Sequence, residues 1–158
     1  MRTFALAISA VLLFGSCSDE PKPIEPSPSA SARPTPVEPA MPDSAREDSP
    51  SGAANFVDYW VSTFNHGAQT GNVEPMLSHA GDCKPCRGYA KDFRRLAPSE
   101  HAKKPVWRLS NISVGANRDP IEVEADVEIA DEENPSTLVF VLNSRAPFEI
   151  LDIYKSKS

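Results

Sequence analysis

The spacing of apolar residues changes character three times along the chain. From Phe4 to Phe14 it runs Phe-Ala-Leu-Ala-Ile-Ser-Ala-Val-Leu-Leu-Phe, apolar or small throughout. That length matches the apolar core of an export signal and falls short of the ~20 residues a membrane-spanning helix needs. From Ser18 to Pro50 no apolar period of either kind is present. At Ser51 a helical period begins. Ala53, Phe56, Val57, Trp60 and Phe64 recur at steps of three and four, which predicts an amphipathic helix over residues 52–66 with Gly67 and Gly71 loosening or ending it. Residues 72–79 predict a short second helix, with Asn72 as cap and Pro75 tolerated in the first turn. A third helix starts around Cys83 and Cys86 and ends before Pro98. Its Tyr89, Phe93 and Leu96 should face inward, and Arg87, Lys91, Arg94 and Arg95 outward.

Beyond Pro98 the period becomes two. Val106, Leu109, Ile112 and Val114 mark a strand around Trp107, and residues 121–129, Ile-Glu-Val-Glu-Ala-Asp-Val-Glu-Ile, alternate between an apolar and an acidic face. The unbroken apolar run at 138–142 predicts a central strand and residues 148–154 a last one, with turns at 117–120, 131–135 and 144–147. Three helices followed by a four-stranded antiparallel meander define an α+β domain, its helices packed on one face of a curved sheet.

Composition explains the silent middle segment. Residues 18–50 hold nine of the 16 prolines, interleaved with Ser, Ala and Glu. Too few large apolar groups are present to offset the entropy of ordering, and repeated proline biases the backbone to polyproline II. A stiff solvated tether is expected, with an extended limit on the order of 100 Å at ~3.1 Å per residue. The chain therefore divides into a signal at 1–16, a tether at 17–50 and a folded domain at 51–158. Net charge is -6. With no basic excess to neutralise phosphates, a nucleic-acid partner is not expected.

The signal ends in Phe14-Gly15-Ser16-Cys17, which resembles the lipobox of bacterial lipoproteins. The resemblance implies cleavage before Cys17, acylation of its thiol as the only covalent cofactor, and anchoring at the extracytoplasmic face of the cell membrane, where two or more acyl chains hold stably. Plain secretion with Cys17 left as a free thiol is the alternative.

The order and size of the elements at 51–158 resemble the nuclear transport factor 2-like (cystatin-like) cone fold. The lipobox and tether, followed by Ala54-Asn-Phe-Val-Asp-Tyr-Trp60, Asn65, Thr70-Gly71-Asn72 and the Cys83/Cys86 pair, resemble a family of actinobacterial lipoproteins of unknown function. These resemblances imply the fold and the anchor, and no activity.

Cys83 and Cys86 carry the sharpest candidate chemistry. In an exported domain they are expected to form a structural disulfide. One alternative is a thiol-disulfide oxidoreductase with the pair at a helix N-terminus, near Lys84 and Arg87. Against it, a redox pair of that kind follows a strand of a βαβ unit, and here the sheet comes later. Zinc held by the pair with two of His66, His79 and His101 is permitted by spacing, but oxidation outside the cell competes with it, and no metal is expected.

Charge is unevenly spread: eight bases and two acids lie between Lys84 and Arg108, eight acids and no base between Asp119 and Glu133. The plain expectation is two solvated faces. The functional one makes Arg87, Lys91, Arg94 and Arg95 a docking surface for an envelope protein, a cell-wall polymer or lipid headgroups. Glu122, Glu124, Asp126 and Glu128 lie on one strand without calcium-loop spacing. Relatives of the cone fold include isomerase- and dehydratase-like pocket enzymes, for which Asp58, Tyr59 and His66 are the polar groups the first helix offers, while the inward sheet positions Val123, Ala125, Val127 and Ile129 offer none. The aromatic residues are expected in the core. A non-catalytic binding module for an envelope partner or an apolar ligand is the function expected.

Overall fold

The computed structural model describes residues 36–157. The signal segment, Cys17 and the tether as far as residue 35 lie outside the described residues. Three helices, α1 (Pro50–Thr70), α2 (Glu74–Leu77) and α3 (Lys84–Arg95), precede four strands, β1 (Trp107–Arg118), β2 (Ile121–Ile129), β3 (Ser136–Leu142) and β4 (Ile150–Lys155). The strands pair antiparallel in the order β1-β2-β3-β4 and the sheet does not close. The architecture is α+β.

Ser49 starts α1. Its Oγ accepts from Gly52 N at 3.0 Å, and Pro50 occupies the first turn, where its missing N–H costs nothing. The helix runs four residues past the expected end with Gly67 inside it, and a Cβ there would lie in ordinary contact, 3.4 Å from Val73 and Phe93. Gly71, at φ 75°, closes the helix with its N–H donating to Gly67 O at 2.8 Å. The second helix is shorter than expected. Val73, rather than Asn72, is its N-cap, although Asn72 Oδ1 still accepts from Glu74 N at 3.3 Å. Leu96, expected inward, is exposed, because the chain has already turned to extended backbone at that residue.

The alternation in β2 translates directly into two faces. Ile121, Val123, Ala125 and Val127 are buried against the helices, while Glu122, Glu124 and Glu128 are exposed. Opposite them on β3 lie Leu142, Phe140, Leu138 and Ser136. Above this face the aromatic side chains interlock: Phe64 stacks on Trp107 at 4.0 Å between centroids, and Trp60, Tyr89, Phe93 and Phe140 meet this pair at tilted or edge geometries. Trp60 Nε1 finds its partner in Met76 O at 3.1 Å, fastening α1 to α2. The space between helices and sheet is thus filled.

β1 extends to Arg118 with a bulge between Ser110 and Ser113, where Asn111 adopts φ 50°. β4 begins at Ile150, two residues after the expected start, because Phe148 and Glu149 belong to a loop organised by Asn143. Its Oδ1 accepts from Glu149 N at 2.8 Å and its Nδ2 donates to the carbonyls of Arg145 and Pro147.

The folded unit begins ahead of Ser51. A 3-10 turn at Asp43–Arg46 packs on α1, Ala45 is 1% exposed and Met41 lies against the core. Residues 41–50, assigned to the tether by composition, are therefore packed chain: one small and one flexible apolar side chain suffice to seat a short arm.

Candidate functional site

Three segments distant in sequence meet at one end of the domain. The arm contributes Met41, Ala45 and Arg46, the link between α2 and α3 contributes His79, and the loop before β4 contributes Ala146, Pro147 and Phe148. Together they line a cavity of about 340 Å3. Backbone pairing holds the walls in place: Ile150 N donates to His79 O at 2.9 Å and Gly81 N donates to Ile150 O at 3.0 Å, a short parallel bridge along the edge of β4. Beneath the cavity Phe56 contacts Phe148 at 5.7 Å and the edge of His79 at 5.9 Å, and His79 meets Tyr59 at 5.5 Å. The walls are apolar except for Arg46 and His79.

Burial, together with the Arg46 guanidinium, lowers the His79 pKa below the ordinary imidazole value, and Glu149 opposes this. Tyr59 is pushed up, first by burial and then by Glu38, against the pull of Arg46. One guanidinium and one imidazole in an otherwise apolar wall suit a ligand with an apolar body and at most one polar or anionic end. A second hollow of about 250 Å3, at the start of β1 and the end of β2, is lined by Lys104, Arg108, Glu128, Glu132 and Glu133 among others. Its charged walls make it the poorer candidate.

Cys83 and Cys86 are joined, with Cα atoms 5.3 Å apart, and both are fully buried. Cys83 is the N-cap of α3, so the bond fastens the first turn of that helix. His79 lines the cavity, and His101 packs against Gly71 with its ring atoms 3.0 Å from the position of a Cβ. Among the described residues no group of three or more His, Cys, Asp or Glu is placed to hold a metal.

The other expected residues separate. Asp58 is exposed, Tyr59 is buried under His79, and His66 is 7% exposed with a buried Nδ1 that has no partner among the described residues. His66 lines neither cavity. Of the four bases expected to dock together, two are already engaged: Arg87 donates to Gly81 O and pairs with Asp82 at 3.6 Å, and Arg94 pairs with Glu74. Lys91 and Arg95 remain exposed without an ion pair among the described residues. On the opposite face Asp126 accepts from Asn111 and Thr137, which lowers its pKa, and Tyr154 donates to Glu122, which raises that of the tyrosine.

Sequence reasoning missed Met41, Ala45, Arg46 and the 146–148 loop as site residues. The available signal was faint: Met41-Pro42-Asp43-Ser44-Ala45-Arg46 puts an acid first and a base last in a turn, inside a proline-rich stretch.

Fold and site together define an open α+β domain with an end-on apolar cavity and a buried disulfide. The chain belongs to a family of unknown function (DUF6318), whose model matches residues 25–111. That span covers the arm, all three helices, the cysteine pair and the first part of β1. No curated protein and no solved structure matches the chain.

Proposed function

We propose that the protein is an exported lipoprotein, acylated on Cys17 and held at the extracytoplasmic face of the cell membrane, whose tethered domain binds a small ligand with an apolar body. The cavity between Met41, Ala45, His79 and Phe148 carries this reading. Its volume lies at the low end of small-molecule sites, and its mostly apolar walls with two polar groups match their usual make-up. The lipobox-like Phe14-Gly15-Ser16-Cys17 and the proline-rich segment after it support the anchor and the tether, and the full resemblance to actinobacterial lipoproteins supports the same placement.

On this reading the domain is a nuclear transport factor 2-like cone in which aromatic side chains fill the usual pocket and the arm builds a substitute at the end. The element order supports that assignment. Burial of both sulfurs favours a structural disulfide over an exchanging one, since a thiolate must reach a sulfur to attack it. The exposure of Asp58 favours binding over acid-base chemistry on α1.

Titration with anilinonaphthalene sulfonate, an apolar fluorophore with one anionic end, tests the cavity. Enhanced fluorescence that is lost in Ala146→Trp, a substitution that fills the space from a partly exposed loop position, supports the proposal. Equal enhancement in both proteins overturns it.

A further inference from the structure

The bases of α3 sort into two sets by position. At 3.6 residues per turn, Lys84, Lys91 and Arg95 fall within about 40° of one another, a straight ridge roughly 16 Å long. The ridge lies opposite the side that carries Cys86, Tyr89, Ala90 and Phe93 against the core. Gly88 falls on the same line, and a Cβ built there would meet nothing within 4 Å, so the ridge is open along its length. Arg87 and Arg94 lie off to one side and are held by Gly81, Asp82 and Glu74. The three ridge cations are exposed and make no ion pair among the described residues.

One acid, Asp92, lies on α3 itself, about 60° around the helix from Arg95, and makes no ion pair with the ridge among the described residues; the acidic cluster is on the sheet. Glu122, Glu124, Asp126 and Glu128 stand on the sheet face turned away from the helices, so the domain has a positive helical side and a negative sheet side. Three cations in line on the exposed side of one helix can meet a plane together without rearrangement of the paired arginines.

We propose that the Lys84–Lys91–Arg95 ridge docks the domain on an anionic phospholipid bilayer. The inference rests on the anchored reading for its setting: a tether keeps the domain near the membrane, and the ridge decides which side meets it. Each cation close to an anionic bilayer contributes about fivefold in partitioning, so loss of all three is expected to weaken it on the order of 100-fold.

The chain from Ser18 onward, which lacks Cys17 and so carries no acyl group but keeps the rest of the tether and the folded unit, is sedimented with vesicles of phosphatidylglycerol and phosphatidylcholine and with vesicles of phosphatidylcholine alone. Binding to the anionic vesicles only, reduced by salt and abolished in Lys84→Gln/Lys91→Gln/Arg95→Gln with an unchanged unfolding midpoint, supports the ridge. Adding Glu122→Gln, Glu124→Gln and Glu128→Gln to that variant restores net charge on the wrong face and is expected to leave it unbound. Equal binding to both vesicles, full binding by the ridge variant, or tighter ridge-dependent binding to soluble polyglycerol phosphate than to the anionic vesicles overturns the proposal. Because this chain lacks Cys17, failure here is a failure of the ridge, while the anchor is read separately from the mass of the membrane-purified protein.

Discussion

Asn65 grips Trp107 through both polar groups of its side-chain amide. Its Oδ1 accepts from Trp107 N at 2.9 Å and its Nδ2 donates to Trp107 O at 2.8 Å, while the same Oδ1 also takes the N–H of Val106 at 2.8 Å. One side chain on α1 thereby sets the start of β1 and the position of the Trp107 ring, which Phe64, one residue earlier on α1, then covers. Removing it leaves two backbone donors and an acceptor with no protein partner. Asn65→Ala is expected to lower unfolding free energy by about 2–4 kcal/mol. Asn65→Asp keeps the acceptor for both N–H groups but turns a carboxylate oxygen toward the Trp107 carbonyl, so urea unfolding should show it well below the wild type as well.

Gly52 is where the arm and α1 meet. A Cβ at this position would lie 1.9 Å from Glu47 O, and that obstruction is backbone. Gly52→Ala should therefore displace the 41–49 segment, costing about 1–3 kcal/mol, as overpacking generally does. Since Met41, Ala45 and Arg46 form one wall of the cavity, fluorophore binding should fall with stability. A variant that loses stability and keeps full binding would separate the arm from the site.

The His79 imidazole gives the stability a pH dependence of known sign. Its folded pKa lies below its unfolded value, so between the two the unfolded chain binds more protons and acid favours unfolding. The contribution is complete above an unfolded pKa of about 6.5 and is lost as pH falls through the lower folded value. His79→Gln should flatten that part of the curve of urea midpoint against pH. A midpoint in the wild type that does not fall with acid from pH 6.5 to 5 would contradict the assignment.

Cys83 and Cys86 enclose a very short loop, for which the chain-entropy model gives about 2 kcal/mol of stabilisation. The double substitution Cys83→Ser/Cys86→Ser should thus fold, with a modest loss that hydrogen exchange localises to the first turn of α3 and the 79–82 link. Both sulfurs are buried, so reduction of the native protein should require opening of that turn. Rapid reduction at neutral pH without denaturant would favour the redox reading over the structural one.

The parts of the fold that local pattern governs were legible. Strict alternation from Ile121 to Ile129 gives β2 its bounds and both its faces, and the spacing from Ala53 to Phe64 gives α1 its buried stripe. Where tertiary contact overrides local preference, the reading shifted. Gly67 reads as a breaker yet lies inside α1, where Phe93 and Val73 pack beside it, and Phe148 reads as strand yet sits in the loop that Asn143 ties.

The candidate site was least legible of all. Met41 and Arg46, His79 and Phe148 share no local pattern, and only the fold brings them together. On α3 the helical spacing of the bases was visible. Which of them are neutralised depends on Asp82 and Glu74, outside the helix, so the stripe of Arg87, Lys91, Arg94 and Arg95 became a ridge of Lys84, Lys91 and Arg95.

An anchored domain with a closed cysteine pair is the central proposal. Intact mass of the protein purified from its native membrane, taken before and after reduction under denaturing conditions, tests both at once. The expected mass is that of a chain that begins at Cys17 with two or more acyl groups attached and that gains two hydrogens on reduction. A chain without acyl mass, or one whose mass does not change on reduction, would contradict it.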